Sequence, residues 1–599
     1  MLARRGHSRR LSPAPAGPID PPPLRSSEKA QMSDPSLVQA VIRGEPDGYD
    51  MAKPGLMGRQ SAGHGFLRAA VQARGDQPIY GFSPGRALAN GFRAIVGSID
   101  PAADFEWISP DRLSRIADVG VLYIADATLP THARLRQRTG VAAFSICGVT
   151  HTTASLGTMD EIGGLLREAV MPWDALVCTS SSVVETVRRI HEAERDYFRW
   201  RFGVENRAEA PQLPVIPLGV HCEDYAFDPG AREDARQALG LEPDEVAALF
   251  VGRLVFHAKA HPFPMYRALQ LAAERTGQRI ALVLSGWAPN DSIAAAFRSG
   301  AEQFAPDVRV IFVEGRDPTL RIHAWAASDL FISLSDNIQE TFGLTPVEAM
   351  AAGLPVVVSD WDGYRDTVRH KVDGFRVRTL APADGMGVAL ARGAESRALS
   401  YDQYCWATAS AIAVDIAETA DAVTALVQSP DLRHTMGEAG RQRAREVYDW
   451  PVIYRQYQAL WADLNARRAA ALCDPDTRRW IEAAPNVAPS RMDPFHTFGH
   501  YPTATLDGQT RLRLAPSATI ADLRAALTHP LFGSLFVEHH SIEALFALIK
   551  AGDITLAEAA TTLGASLAPT TRAAGLLLKM GVACLGDDQP PFSAIETQT

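Results

Sequence analysis

The stretch from Asp329 to Ser359 leaves this chain little choice of fold class. Asp329-Leu-Phe-Ile-Ser-Leu-Ser335 is a short apolar run, as expected of a parallel strand buried on both faces. A polar loop follows. Phe342-Gly343 then predicts a tight turn into a helix, with Thr345 as N-cap and Pro346 as the first helical residue. The helix stops at Gly353, a residue suited to the C′ position, and Pro355-Val-Val-Val-Ser359 reads as the next strand. Strand, loop, helix and strand in this order make one unit of a doubly wound α/β sheet. Glu340 lies in the loop and Glu348, eight residues on, in the first helical turn. Two carboxylates beside a helix N-terminus, at the carboxyl end of a parallel strand, make a seat for a polyhydroxylated, anionic ligand.

At 599 residues the chain is long enough for two large domains and a smaller one. Charged residues make up 21% of it and the formal net charge is -10, which argues against a protein held mainly by nucleic acid or anionic lipid. The cysteines (Cys147, Cys178, Cys222, Cys405, Cys473 and Cys584) form no Cys-x-x-Cys pair, so no zinc or redox motif is expected and a reduced cytosol fits. No run approaches the ~18 apolar residues of a membrane-spanning helix. The basic start Met1-Leu-Ala-Arg-Arg lacks the apolar core of a secretory signal. Residues 12–24 are Pro-rich and expected to be disordered, and Met32 is an alternative start to Met1.

Along the chain, residues 35–50 read as a weak helix and linker. The following stretch carries Gly55, Gly58, Gly63 and Gly65 and then turns helical. Glycines let a backbone approach a ligand closely, and a helix starting near Gly65 would aim its amides at a phosphate; a flexible surface loop before a surface helix explains the residues equally well. Ala94-Ile-Val-Gly97, Val121-Leu-Tyr-Ile-Ala and Ala142-Ala-Phe-Ser-Ile read as strands, followed by a strand at 173–180 and a helix at 181–203. His151 falls just past the carboxyl end of a strand, a position suited to chemistry, though a lone histidine is more often structural or merely exposed. An interdomain linker is expected near 222–245. Val246-Ala-Ala-Leu-Phe-Val-Gly-Arg253 is a strand ending in Gly-Arg, and Lys259 follows six residues later. A guanidinium fork and a point charge leaving one strand end suit a diphosphate; without that context they would be a solvated basic loop. Ile280-Ala-Leu-Val-Leu-Ser-Gly286-Trp and Val308-Arg-Val-Ile-Phe-Val-Glu-Gly315-Arg316 read as further strands.

The frame Glu340-Thr-Phe-Gly-Leu-Thr-Pro-Val-Glu348-Ala-Met-Ala-Ala-Gly-Leu-Pro-Val-Val resembles the donor-site signature of retaining family-4 glycosyltransferases with the GT-B fold. The resemblance spans about residues 53–467. It implies an α/β fold of two doubly wound Rossmann-like domains facing across a cleft, an N-terminal acceptor-side domain at 51–228 and a donor-binding domain at 229–467. By the same resemblance, Glu340 holds hydroxyls of the donor sugar and Glu348 the nucleotide ribose. His151 contacts the sugar from the opposite domain, and Arg253 and Lys259 neutralise the diphosphate. Gly63 and Gly65 lie against that diphosphate. Thr341, Phe342, Gly343 and Leu344 line the donor at the helix start, Gly286 adjoins it, and residues 312–317, including Arg316, clamp the base. Leu213-Pro-Val-Ile-Pro-Leu-Gly-Val-His221 resembles the segment closing the first domain, with His221 in place of an acid and no functional consequence expected. The helix around Tyr448–Trp461 is expected to present an apolar stripe to a core and to cross back onto the first domain.

Residues 468–517 read as a connector, after which a small, mainly helical module resembling a degenerate winged helix is expected at 518–599. Its few basic residues, among them Lys550, Arg572 and Lys579, argue against DNA binding and for docking or dimerisation through 518–586. The implied function is a metal-independent, cofactor-free transfer of a sugar from a nucleotide-sugar donor to an unidentified acceptor, in the cytoplasm, with at most peripheral contact at the inner membrane face. Two other readings stand beside it: an epimerase or phosphorylase on the same fold, and a non-catalytic subunit of a polysaccharide assembly complex.

Overall fold

A computed structural model describes residues 38–51, 58–203, 209–532 and 538–586. The Pro-rich stretch 12–24, Met1, Met32 and Gly55 lie outside the described residues. Residues up to Asn486 form one compact unit and Val487–Thr599 a second.

The first unit holds two six-stranded parallel sheets. One is built from β1 (Val41–Arg43), β2 (Ile79–Phe82), β3 (Phe105–Ile108), β4 (Val121–Ile124), β5 (Ser145–Val149) and β6 (Ala175–Val177). The other is built from β7 (Val246–Val251), β8 (Ile280–Gly286), β9 (Val308–Glu314), β10 (Leu330–Ser333), β11 (Val356–Ser359) and β12 (Gly374–Val377). The orders are β3-β2-β1-β4-β5-β6 and β12-β11-β10-β7-β8-β9, the same doubly wound pattern twice. These strands are apolar almost without interruption because helices cover both faces. In β7, Ala247 and Leu249 enter one core while Ala248 and Phe250 enter the other.

Several elements differ from the sequence reading. Val41–Arg43, expected in a weak helix and linker, is instead a central strand between β2 and β4. It is only three residues long, too short for a period-2 pattern to register. Ala94–Gly97 is not a strand: it lies in the helix Arg86–Ile99, whose buried Ala89, Phe92 and Val96 recur at helical spacing. The strand expected at 142–146 runs later, as Ser145–Val149.

The helix Trp450–Cys473 belongs by chain order to the end of the second domain but packs on the first. Trp450, Ile453, Tyr454, Tyr457, Trp461 and Leu464 share one buried cluster with Phe66, Tyr123 and Cys147. Phe66 stacks on Tyr123 with ring centroids 4.0 Å apart.

The second unit has its own core, including Leu512, Leu523, Leu545, Phe546, Leu556 and Leu577. Its helices Ile520–Thr528, His539–Ala551, Leu556–Thr562 and Leu567–Lys579 accompany a small antiparallel sheet centred on Arg511–Leu514. Thr519 with Asp522, and Thr555 with Glu558, form capping boxes that start two of these helices.

Candidate active site

In an open doubly wound sheet a crevice opens beyond the carboxyl ends of the strands where the order reverses. In the second sheet that point lies between β7 and β10. The loop after β7 carries Arg253 and Lys259, and the loop after β10 carries Gln339 and Glu340. Both loops line a cleft of about 400 Å³. His151, Thr152, Arg59 and Ser61 of the first domain line the same cleft.

The loop after β10 is braced internally. Asn337 accepts from the Gln339 amide at 2.9 Å and donates to the His257 carbonyl at 3.1 Å, and Trp361 Nε1 donates to the Asn337 carbonyl at 3.1 Å. Glu340 is thereby turned toward the helix Leu344–Ala351. Its Oε1 accepts from the Gly343 amide at 3.1 Å, and its Oε2 takes the Lys259 ammonium at 3.2 Å. Burial alone would raise the Glu340 pKa. The Lys259 charge and the amides of Thr341 and Phe342 overcome it, leaving the carboxyl below its ordinary value. Arg253 donates to Gln339 Oε1 at 3.2 Å. Two cations and one carboxylate thus meet at a helix N-terminus.

The helix starts earlier than its sequence suggests. Its N-cap is Gly343, not Thr345, and Thr345 and Pro346 lie inside it. Gly343 has φ 86°, and a Cβ there would stand 2.0 Å from Tyr364 Cε1, so both the turn and the contact need glycine. Because the helix begins at Leu344, Glu348 falls one turn in, not in the first turn as expected, and it also lines the cleft. Burial raises its pKa, opposed by a hydrogen bond with Tyr225 and by the Arg321 charge. Tyr225 and Arg321 carried no sequence signal: each is a single residue outside any recurring pattern.

Gly286 closes β8 in the cleft, where a Cβ would lie 1.9 Å from the Gly252 carbonyl oxygen. Arg316 lines the cleft with its guanidinium paired to both Glu314 oxygens, at 2.8 and 2.9 Å, and lies 5.9 Å from the Trp287 ring centre. Thr341, Phe342 and Leu344 line the cleft as well. Thr341 Oγ1 donates to the His151 carbonyl at 2.6 Å, joining the two domains. The His151 ring donates through Nε2 to the Ala125 carbonyl at 2.9 Å, and burial lowers its pKa, so it is neutral near pH 7 with its hydrogen on Nε2.

On this wall Gly63 and Gly65, expected against a diphosphate, do not line the cleft. They are neither in a loop nor at a helix start but in the middle of the buried helix Gly58–Gln72. A Cβ on Gly63 would meet the Gly48 carbonyl oxygen at 2.1 Å, and one on Gly65 would meet Trp450 Nε1 at 2.3 Å. They let the helix pack against the η-turn Pro46–Gly48 and the crossover helix. The residues of this helix that line the cleft are Gly58, Arg59 and Ser61. His221 is also structural: it is buried and its Nε2 donates to the Gly65 carbonyl at 3.1 Å.

Residues 231–384 match the family model described as Glycosyl transferases group 1. The matched span takes in Arg253, Lys259, Gly286, Arg316, Glu340 and Glu348, all of which line the cleft. The chain is 31% identical over 325 residues to the D-inositol 3-phosphate glycosyltransferase of Mycobacterium marinum, covering 52% of this chain and 65% of that protein. It is 26% identical over 372 residues to the alpha-maltose-1-phosphate synthase of Mycolicibacterium smegmatis, covering 58% and 83%. Against the D-inositol 3-phosphate glycosyltransferase of Nocardia farcinica it is 29% identical over 235 residues, 38% of this chain, and spans about half of that relative, 47%. Among solved structures, Anabaena Alr3699/HepE in complex with UDP aligns with a TM-score of 0.46 at 16% identity, over 71% of this chain and 100% of that one. The matched span therefore provides one wall of the cleft, while Arg59, Ser61, His151 and Thr152 of the opposite wall lie before it. Among the described residues no helix is long and apolar enough to cross a membrane.

Proposed function

We propose that the chain transfers a sugar from a nucleotide-diphosphate-sugar donor to a hydroxyl acceptor, with retention at the anomeric carbon and without a metal. The observation that carries this reading is the convergence of Arg253, Lys259 and the start of the helix Leu344–Ala351 on one point of the interdomain cleft. As the bond from the anomeric carbon to the diphosphate breaks, negative charge grows on the leaving phosphate, and preorganised cations there stabilise the transition state. Glu340, ionised and held between Lys259 and the Gly343 amide, accepts hydrogen bonds from donor-sugar hydroxyls. Glu348 takes the ribose hydroxyls, braced by Tyr225. His151 is neutral and has committed its Nε2 hydrogen to Ala125, so it orients the sugar and delivers no proton. The acceptor proton passes to the leaving phosphate on the same face as the new bond, and no protein base is required. The relatives are named for an inositol phosphate and for maltose 1-phosphate, which supports a polyhydroxylated acceptor. The cysteines are all free, which suits a reduced cytoplasm.

The test is a panel of nucleotide-sugars with polyol and glycan acceptors, following nucleoside diphosphate release and the product's anomeric configuration by NMR. One donor is expected to give a retained product. Arg253→Ala is expected to lower kcat/KM by about 10²–10³-fold with an unchanged melting temperature. Full activity in a folded Arg253→Ala variant overturns the diphosphate assignment.

A further inference from the structure

Beyond residue 384, where the family match ends, the chain forms the helix Tyr401–Ala409, started by a capping box at Ser400 and Gln403. Its first residue reaches the cleft's charged loop. Gln339 Nε2 donates to the Tyr401 hydroxyl at 2.9 Å, and the same hydroxyl lies 3.5 Å from Thr152 Oγ1 of the first domain. The other end of the Gln339 amide accepts from Arg253 at 3.2 Å.

The direction of this chain follows from its ends. A guanidinium can only donate, so the amide oxygen of Gln339 must face Arg253 and its NH₂ must face Tyr401. The tyrosine oxygen therefore accepts from Gln339, and its own hydrogen is shared between Thr152 Oγ1 and the Cys405 sulfur, which also bonds the hydroxyl. Thr152 adjoins His151, whose carbonyl is already tied to Thr341 of the opposite domain. The chain therefore joins a residue of the first domain to the cation on the second through one phenol. Burial raises the Tyr401 pKa, so the phenol keeps the hydrogen that this direction requires.

We infer that Tyr401 is a positioning residue that orients Arg253 through Gln339, and that it does so best when Thr152 of the first domain is seated against it. The inference rests on the reading of Arg253 as a diphosphate ligand. A flexible arginine must be ordered before it can hold an anion, and a partner that fixes its rotamer removes part of that cost from binding. The Thr152 contact makes that ordering depend on the approach of the first domain, so the cation is fully set only in the closed cleft.

The test is calorimetric titration of inorganic pyrophosphate, and of uridine, adenosine and guanosine diphosphates, into the wild-type protein, Tyr401→Phe, Gln339→Ala and the double variant. The phenylalanine keeps the ring and its packing and removes only the hydroxyl. Tyr401→Phe and Gln339→Ala are each expected to weaken diphosphate affinity about 3- to 10-fold, the worth of one hydrogen bond in a chain. The double variant is expected to be no weaker than Gln339→Ala alone, because both changes cut the same chain. Wild-type affinity in Tyr401→Phe overturns the inference. So do losses that multiply in the double variant, which would mean that the Tyr401 hydroxyl acts independently of Gln339. If the wild-type protein binds none of these diphosphates, the reading of Arg253 itself fails, and this inference falls with it.

Discussion

The helix Leu344–Ala351 starts from a left-handed Gly343 with the Glu340 carboxylate folded onto its first amides, whereas the helix Gly58–Gln72 on the opposite wall has no acid in its first turn and brings Arg59 to the cleft. In the second domain the protein's own carboxylate offsets the helix dipole, and the net positive charge comes from Arg253 and Lys259, set by hydrogen bonds on the loops around them. In the first domain the cleft-facing Arg59 is paired with Asp47. The positive charge is therefore concentrated on one side, and the other side supplies a wall. The glycines divide in the same way. Gly343 is needed for its conformation at the site itself, while Gly63 and Gly65 are needed where a helix lies close to its neighbours, away from the cleft.

Gly343→Ala breaks the comparison most severely. It combines a left-handed backbone with a collision against Tyr364, and is expected to cost about 2–5 kcal/mol in urea unfolding and to abolish nucleotide binding. Glu340→Gln comes next: the fold is expected to persist, while kcat/KM falls about 10²-fold because Lys259 and the Gly343 amide lose their charged partner. Gly65→Ala, on the other wall, is expected to cost about 1–3 kcal/mol through the collision with Trp450 while leaving nucleotide affinity in the folded protein near wild type. Loss of affinity there would mean that the glycine helix serves the site directly, which would erase the contrast between the two walls.

The smallest effect concerns Asp362, at φ 43° beside the interdomain contact where Ser181 donates to both oxygens of Asp366. Burial, reinforced by the charges of Glu340 and Asp366, pushes its pKa up to about 8. The folded protein thus keeps a proton that the unfolded chain releases near the ordinary value of about 4, so this carboxyl's contribution to stability is full in acid and declines as pH rises to about 8. Asp362→Asn tolerates the left-handed backbone and cannot ionise. Its melting temperature is expected to match the wild type near pH 4 and exceed it at pH 8. Equal melting temperatures at both pH values would contradict this assignment.

The second domain was the more legible half of the molecule. The Glu340–Gly353 frame, the Gly-Arg strand end and the run of apolar strands each combine several residues in a fixed order, and the cleft gathers Arg253, Lys259, Glu340 and Glu348 as neighbours. The first domain was harder to read. A three-residue central strand has no room for a pattern, and Ala94–Gly97 looks extended only when Ala89 and Phe92 before it are ignored. Gly63 and Gly65 misled because sequence cannot distinguish a glycine that admits a ligand from one that admits Trp450, 385 residues further on in the latter case. Tyr225, Arg321 and Tyr401 stayed hidden for a related reason: each is a lone residue brought to the site by tertiary packing.

The central claim is that Arg253 and Lys259 build a diphosphate site at the start of the helix Leu344–Ala351. The most direct measurement is the affinity of a matched nucleoside monophosphate and diphosphate for the wild-type protein and for Arg253→Ala/Lys259→Ala. The wild type should prefer the diphosphate, and the double variant should lose that preference while still binding the monophosphate. A wild-type protein with no preference, or a variant that keeps it, would contradict the account.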